Sequence, residues 1–367
     1  MKKLLIYGAG AIGRGYLPRV FTKDKYEYYF VETNPRIREL MNTQKGYTSY
    51  MTINDQYDIC HVPVQRCFDD GEEIEILQQA DAVLVAVGPR NFMKLQSKFM
   101  GTTMPILSFE NDSSLPVIMR RATGNDNIVF AVPDVITSNM APKEFAEKDP
   151  LSIVTENGVC FIDSHVEALG GDCRYVSAEE LHTQWMAKLY IHNTPHCIAA
   201  YLGNLINATY MHEAMKNESI ASCINGVMIE MENMLVNKYG IDIEFLKYYS
   251  SKEIQRFSNT LLFDPIARVA REPFRKLAPN ERLIGAAQLC LGTGVMPKHL
   301  MEGIMAAFCF ENDSDPDFHI KQLMNALNPR DFLKIIIRLR EGEALYEILL
   351  QNWKENLAFV NKIKNHV

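Results

Sequence analysis

No apolar run in the chain approaches the roughly 20 residues a helix needs to cross a bilayer. After Met1-Lys2-Lys3 only Leu4-Leu5-Ile6-Tyr7 precedes a glycine turn, too short for the apolar core of a secretion signal. A basic excess is also missing: 45 Asp and Glu outnumber 38 Lys and Arg, for a net charge of −7. Binders of nucleic acid or anionic membrane usually carry the opposite balance, so neither partner is expected. The eight cysteines include no CxxC pair and are spread along the chain, unlike a disulfide scaffold or a zinc site. They read as reduced, mostly buried thiols of a cytoplasmic protein, and no metal ligands are expected. With 20 Gly and 16 Pro the chain is neither fibrous nor of low complexity. No repeat of about 20–50 residues is visible.

What remains is a sequence of 367 residues, 47% hydrophobic and 23% charged, typical of a soluble globular protein. At about 100–200 residues per domain, it should hold two. In the first third, short apolar runs bounded by Gly, Pro, Asn or Asp alternate with helical patterns. The runs at 3–7, 26–31, 82–87, 105–109 and 127–130 predict buried parallel strands joined by right-handed crossovers. Residues 47–68 read as extra strand or loop. Further strands are expected at 159–162 and 173–176, around the turn Gly170-Gly171-Asp172. From Ala178 onward the spacing of apolar residues is helical, through segments 178–192, 195–207, 219–238, 243–256, 280–292, 297–310 and 316–362. The expected fold is therefore a Rossmann-type doubly wound α/β domain over 1–177, followed by a mostly α-helical domain over 178–367. Met211, Met215, Met228, Met231 and Met234 are expected to pack in its core.

Gly8-Ala9-Gly10-Ala11-Ile12-Gly13 follows the first strand and opens a helix, the context in which GxGxxG binds a dinucleotide. Gly8 serves the tight turn, Gly10 lets the backbone approach a pyrophosphate, and Gly13 allows helix and strand to pack closely. The helix start offers unpaired N–H groups to the anion, with Ala11 and Ile12 in its first turn and Arg14 as an added charge. The second strand ends at Glu32, nineteen residues past Gly13. An acid there accepts from a ribose diol and repels a 2′-phosphate, so NAD is expected over NADP, with FAD as the competing cofactor. Gly88 and Pro89 follow another strand and should lie beside the cofactor.

Two further segments carry chemistry: Ser108-Phe109-Glu110-Asn111 after the fourth strand, and Lys188 through His196 early in the helical half. With the N-terminal GAGAIGRG, the spacing of Lys188, Asn193 and His196 resembles the long-chain polyol dehydrogenase family. The resemblance extends through Arg256-Phe257-Ser258-Asn259, Arg271-Glu272-Pro273-Phe274-Arg275-Lys276-Leu277 and Glu281-Arg282-Leu283-Ile284. It implies an NAD-dependent, metal-independent oxidoreductase of polyol metabolism that acts on a secondary alcohol. Lys188 would be the general base, Asn111 and Asn193 the donors to the substrate oxygen, and His196 the group that orients the hydroxyl. The chain departs from the family in three places: Gln184, Trp185 and Met186 stand before the lysine where some relatives carry a carboxylate, the segment 132–139 lacks an arginine, and Pro195 stands where relatives commonly have glycine. Proline removes an N–H and can kink a helix, so the placement of Lys188 relative to His196 rests on how the chain accommodates it.

Between residues 256 and 282 six cations face three carboxylates, a local excess of +3 in an acidic chain. Arg256, Arg271, Arg275, Lys276 and Arg282 are the candidates for holding a substrate phosphate, since guanidinium forks suit phosphate oxygens. The leading expectation is interconversion of a polyol phosphate and a ketose phosphate, of the mannitol 1-phosphate/fructose 6-phosphate type, by a monomer or small homo-oligomer. Alternatives are a dehydrogenase of unphosphorylated mannitol or of a hexonate (tagaturonate/fructuronate type), or a non-catalytic NAD-binding sensor.

Overall fold

The apolar runs of the first half form strands β1 (Lys2–Tyr7), β2 (Tyr26–Val31), β3 (Gly46–Ile53), β4 (Gln56–Pro63), β5 (Arg66–Phe68), β6 (Ala82–Val85), β7 (Ile106–Ser108), β8 (Ile128–Asp134), β9 (Thr137–Ser138), β10 (Ile153–Glu156), β11 (Val159–Asp163) and β12 (Arg174–Val176). They are seen in a computed structural model that describes residues 1–365 other than Lys23, Asn139, Met140, Asp313, Ser314 and Phe318.

Eight strands make one sheet in the order β12-β11-β8-β7-β6-β1-β2-β5. All its pairs are parallel except β11 on β8. From β5 to β8 the winding is 3-2-1-4-5-6, and its direction reverses between β1 and β6. Tyr7 pairs with both Val31 and Val85, so the chain leaves β1, β2 and β6 at one level. Leu4, Ile6, Phe30 and Leu84 fill one face of the sheet; Leu5, Tyr7, Val83 and Val85 fill the other. Burial on both faces explains why these strands read as nearly unbroken apolar runs.

A second sheet, β4-β3-β10-β9, was not expected. Asn54 and Asp55, both at positive φ, close the β3–β4 hairpin. β10 then pairs in parallel with β3, placing Ile153 opposite Ser49. That partnership spans about a hundred residues of sequence, beyond the reach of local periodicity.

The chain divides into two units: Met1–Trp185 with Leu261–Phe263, and Met186–Thr260 with the residues from Asp264 onward. The returning segment is held in the first unit by hydroxyls. Tyr57 donates to the Leu261 carbonyl at 2.6 Å, and Ser138 to that of Phe263 at 3.2 Å.

The second unit is helical. Helix α1 (Ala178–Ala187), which lies in the first unit as far as Trp185, runs on through a wide π-type turn, Lys188–Asn193, into α2 (Thr194–Leu205). Then come α3 (Glu218–Tyr239), α4 (Ile243–Phe257), α5 (Ile284–Gly292), α6 (Lys298–Phe308) and, near the end, α7 (Trp353–Asn365). Side chains set several boundaries: Asn217 accepts from the first turn of α3, Asp242 from that of α4, and Gly240 ends α3 in a left-handed conformation. Ile198, Leu202, Val227, Met231 and Ile304 are fully buried in the core, and all five methionines named above are buried. The stretch expected to be helical over 316–362 is instead cut into shorter pieces, with Pro329, Arg338 at φ 65° and Gly342 at φ 88° at or beside the breaks. No helix among the described residues is long and apolar enough to cross a membrane.

Candidate active site

At the switch point of the large sheet, the Gly8–Gly13 turn borders a cavity of about 500 Å³ in the first unit. Its lining includes Gly8, Gly10, Glu32, Val87, Asn91 and Lys94. Gly8 has φ +92°, and a Cβ there would meet the Ala86 carbonyl at 2.4 Å. A Cβ on Gly13 would lie 1.9 Å from the Gly8 carbonyl, so the helix packs directly on the turn. At Gly10 a Cβ would meet nothing within 4 Å, which leaves the backbone open to the cavity. The helix starting at Ala11 and Ile12 makes a π-type turn, Ala11–Tyr16, before closing to Leu17–Val20. Arg14 does not add charge to the cavity. It is buried, donates to the Leu151 carbonyl at 2.8 Å and stacks over Tyr47.

Glu32 binds the loop from within. Its oxygens accept from Ala9 N–H at 2.9 Å and Asn34 N–H at 2.8 Å, and the carboxylate lines the cavity. Gly88, at φ +91°, leads into a short helix opened by Pro89. Glu110, which the sequence analysis did not single out, holds that loop. One of its oxygens accepts from Val87 N–H at 2.7 Å and Gly88 N–H at 3.0 Å. Burial pushes the Glu110 carboxyl up to about 7, against the pull of those two N–H groups. Asn111 is exposed, just past the carboxyl end of β7 in the same unit.

In the second unit, Lys188, Asn193 and His196 lie on one helical run and are 6%, 8% and 6% exposed. The π-type turn brackets Lys188 and Asn193 and adds width before Pro195, which takes one of the first two positions of α2. A proline is tolerated best in a first helical turn, and here the run continues through it. The Asn193 Nδ2 is buried with no hydrogen-bond partner among the described residues. His196 Nε2 contacts Asp264 Oδ2, and the ring stacks on Phe257 at 4.9 Å between centroids. Burial works to raise the Asp264 carboxyl, yet Arg268 and His196 hold it well below the usual carboxylate range. His192 is similarly tied to Glu253, which Arg256 also pairs. Neither carboxylate partner is near its histidine in sequence, so no local signal could have found them.

The basic segment divides. Arg256 is buried against Glu253, and Arg275 pairs with Glu272 and Glu281. Lys276 is buried, donates to the Val269 carbonyl, and is pulled down to about 8 by burial. Arg271 and Arg282 are in no ion pair among the described residues, and the buried Nε of Arg282 lacks a partner.

A doubly wound sheet with a glycine-rich turn at its switch point, followed by a helical unit with a buried lysine, defines the class: a Rossmann-type dinucleotide-binding protein with an added helical domain. The chain belongs to the mannitol dehydrogenase family. The family's Rossmann domain matches residues 2–119 and its C-terminal domain residues 180–363. A protein of Thermoanaerobacter pseudethanolicus named mannitol-1-phosphate 5-dehydrogenase is 27% identical, over 97% of this chain and 98% of its own. One of the same name from Oceanobacillus iheyensis is 28% identical over 86% of this chain and 88% of its own. Among solved structures, Pseudomonas fluorescens mannitol 2-dehydrogenase, a ternary complex with NAD and D-mannitol, superposes with a TM-score of 0.76 at 14% identity, covering 100% of this chain and 94% of that one. A Geobacter metallireducens 2-dehydropantoate 2-reductase shares the fold at a TM-score of 0.57 and 14% identity, over 83% of this chain and 98% of that one.

Proposed function

We propose that this chain is an NAD-dependent dehydrogenase that interconverts a polyol phosphate and a ketose phosphate, of the mannitol 1-phosphate/fructose 6-phosphate type. The observation that carries this reading is the buried run of Lys188, Asn193 and His196 with an unpartnered amide at Asn193. The names of the full-length relatives favour the phosphorylated substrate.

The Gly8–Gly13 turn, open at Gly10, fits a pyrophosphate, and Glu32 fits a ribose diol. Bound there, NAD supplies the acceptor for the hydride leaving the carbinol carbon. Lys188 takes the hydroxyl proton from a position largely shut off from bulk water. As charge builds on the oxygen, Asn193 Nδ2–H donates to it. An unpaired buried amide costs about 1–3 kcal/mol, which that contact relieves in the transition state. His196, held by Asp264, orients the hydroxyl. Asn111 keeps the role the resemblance gives it, a second carboxamide donor. For the phosphate, Arg271 and Arg282 are the stronger candidates, since Arg256, Arg275 and Lys276 already have partners. The enzyme reads as a cytoplasmic monomer or small homo-oligomer.

Steady-state rates test the reading. NADH oxidation with fructose 6-phosphate should exceed that with fructose by about 100-fold or more in kcat/KM, the worth of one or two charge-assisted contacts. NAD reduction with mannitol 1-phosphate should likewise exceed that with mannonate or altronate. Equal rates with fructose would remove the phosphate, and NADH binding with no turnover on any of these substrates would leave a sensor.

A further inference from the structure

Among its described residues, the second unit holds one cluster of metal-ligating side chains that the reaction does not use. Cys223 on α3 and His299 and Glu302 on α6 each offer one ligand atom, and all three atoms lie within 4.8 Å of one another. We propose that these side chains bind a zinc ion, with water as fourth ligand, and that the ion clamps α3 to α6.

Local sequence builds the site. His299 and Glu302 are three residues apart in the first turns of α6, so they share a helix face. Their Nδ1 and Oε2 atoms are 3.0 Å apart. Gly226 lies one turn beyond Cys223 on α3, and a Cβ there would sit 2.1 Å from His299 Cδ2. The imidazole therefore occupies the space of a missing side chain and lies directly against α3. One turn further on, Glu230 fixes the register of the two helices. Its oxygens accept from the N–H groups of His299 at 2.7 Å and Leu300 at 3.0 Å, capping α6 from outside.

The donor set selects the ion. Thiolate, imidazole and carboxylate together suit zinc, whereas magnesium and calcium take oxygen ligands. Tetrahedral zinc with Zn–N and Zn–O near 2.0–2.2 Å and Zn–S near 2.3 Å spaces its ligand atoms about 3.3–3.6 Å apart. The His299–Glu302 contact need open by only a few tenths of an ångström. The His299 side chain is 36% exposed while Cys223 is buried, so the cluster has a solvent side for the water and a closed side for the sulfur. On binding, the Cys223 S–H bond breaks, its proton goes to solvent, and a Zn–S bond forms. None of the three ligands belongs to the Lys188–His196 run. Both clamped helices pack on α2, which carries His196, so the ion would stiffen the support of the catalytic helix.

The test uses the full chain, stripped with a chelator and titrated with zinc against a chromophoric competitor, and in parallel with cobalt. One equivalent of zinc should bind and raise Tm. Cobalt should give visible d–d bands and a near-ultraviolet sulfur-to-metal charge-transfer band. His299→Gln, at a partly exposed position, should weaken zinc by about 100-fold or more and abolish the Tm shift. Cys223→Ser should remove the charge-transfer band, which Cys60→Ser should keep. Absence of binding at micromolar zinc, or a band and affinity unchanged in both His299→Gln and Cys223→Ser, would overturn the proposal.

Discussion

His196 Nε2 and Asp264 Oδ2 are 2.7 Å apart, and Arg268 holds the other oxygen of the same buried carboxylate. One acid thus ties a ring on α2 to a cation four residues further along its own segment. Removing it leaves two cationic or polar partners without compensation. Asp264→Ala should cost about 3 kcal/mol of stability, read from the denaturant midpoint at pH 7. The folded carboxyl titrates below its unfolded value near 3.9, so its contribution is complete above that value and lost as pH falls through the lower folded one. The gap between wild type and variant should therefore shrink in acid; a gap that grows would contradict the pairing.

Lys188→Ala should lower kcat by about 100- to 10,000-fold, the usual worth of a general base. Asn193→Ala should lower it by about 100- to 1,000-fold, as for a lost oxyanion donor. NADH binding, followed by fluorescence, should stay within about twofold in both. An active Lys188→Ala enzyme would end the lysine mechanism.

Glu110 carries a carboxyl raised to about 7 by burial. The folded state then holds a proton that the unfolded state has released above about 4.3, so stability falls as pH rises from there through 7. Between pH 5 and pH 8 the wild type should lose up to roughly 3 kcal/mol from this group, and Glu110→Gln should not. Urea midpoints of both proteins at the two pH values make the comparison; parallel slopes would show that the carboxyl titrates normally.

Pro195→Gly tests whether the departure from the family matters for catalysis. The proline already sits at the start of α2 after a widened turn. Glycine there should lower stability by about 1 kcal/mol, chiefly by freeing the unfolded chain, and leave kcat within about twofold. A large gain in kcat would mean that the proline misplaces Lys188 or His196.

Much of the large sheet was legible because it is buried on both faces, and such strands announce themselves as apolar runs ending in Gly, Pro or Asp. The glycine turn was legible for a related reason: close approach of backbone to backbone at Gly8 and Gly13 admits few residue types. The second sheet was not, because Ile153–Glu156 looks like any short apolar stretch until it meets β3. The partners of the two histidines, Glu253 and Asp264, were hidden by sequence distance. Glu110 is the neighbour of Asn111, but nothing local says that its side chain turns back to bind the Val87–Gly88 loop. Charge counting over 256–282 found the cations but could not say which were paired: Asp264, Glu272 and Glu281 inside that window take Arg268 and Arg275, while Glu253 just outside it takes Arg256.

The return of Leu261–Phe263 to the first unit has a practical consequence. No single cut in the chain separates the two halves. A fragment stopping at Trp185 would keep every strand of both sheets yet leave the Tyr57 and Ser138 hydroxyls without the carbonyls they now donate to. Exchanging nucleotide-binding halves between relatives at one junction would therefore graft a piece with two severed tethers, and a working chimera must carry the three-residue loop along with it.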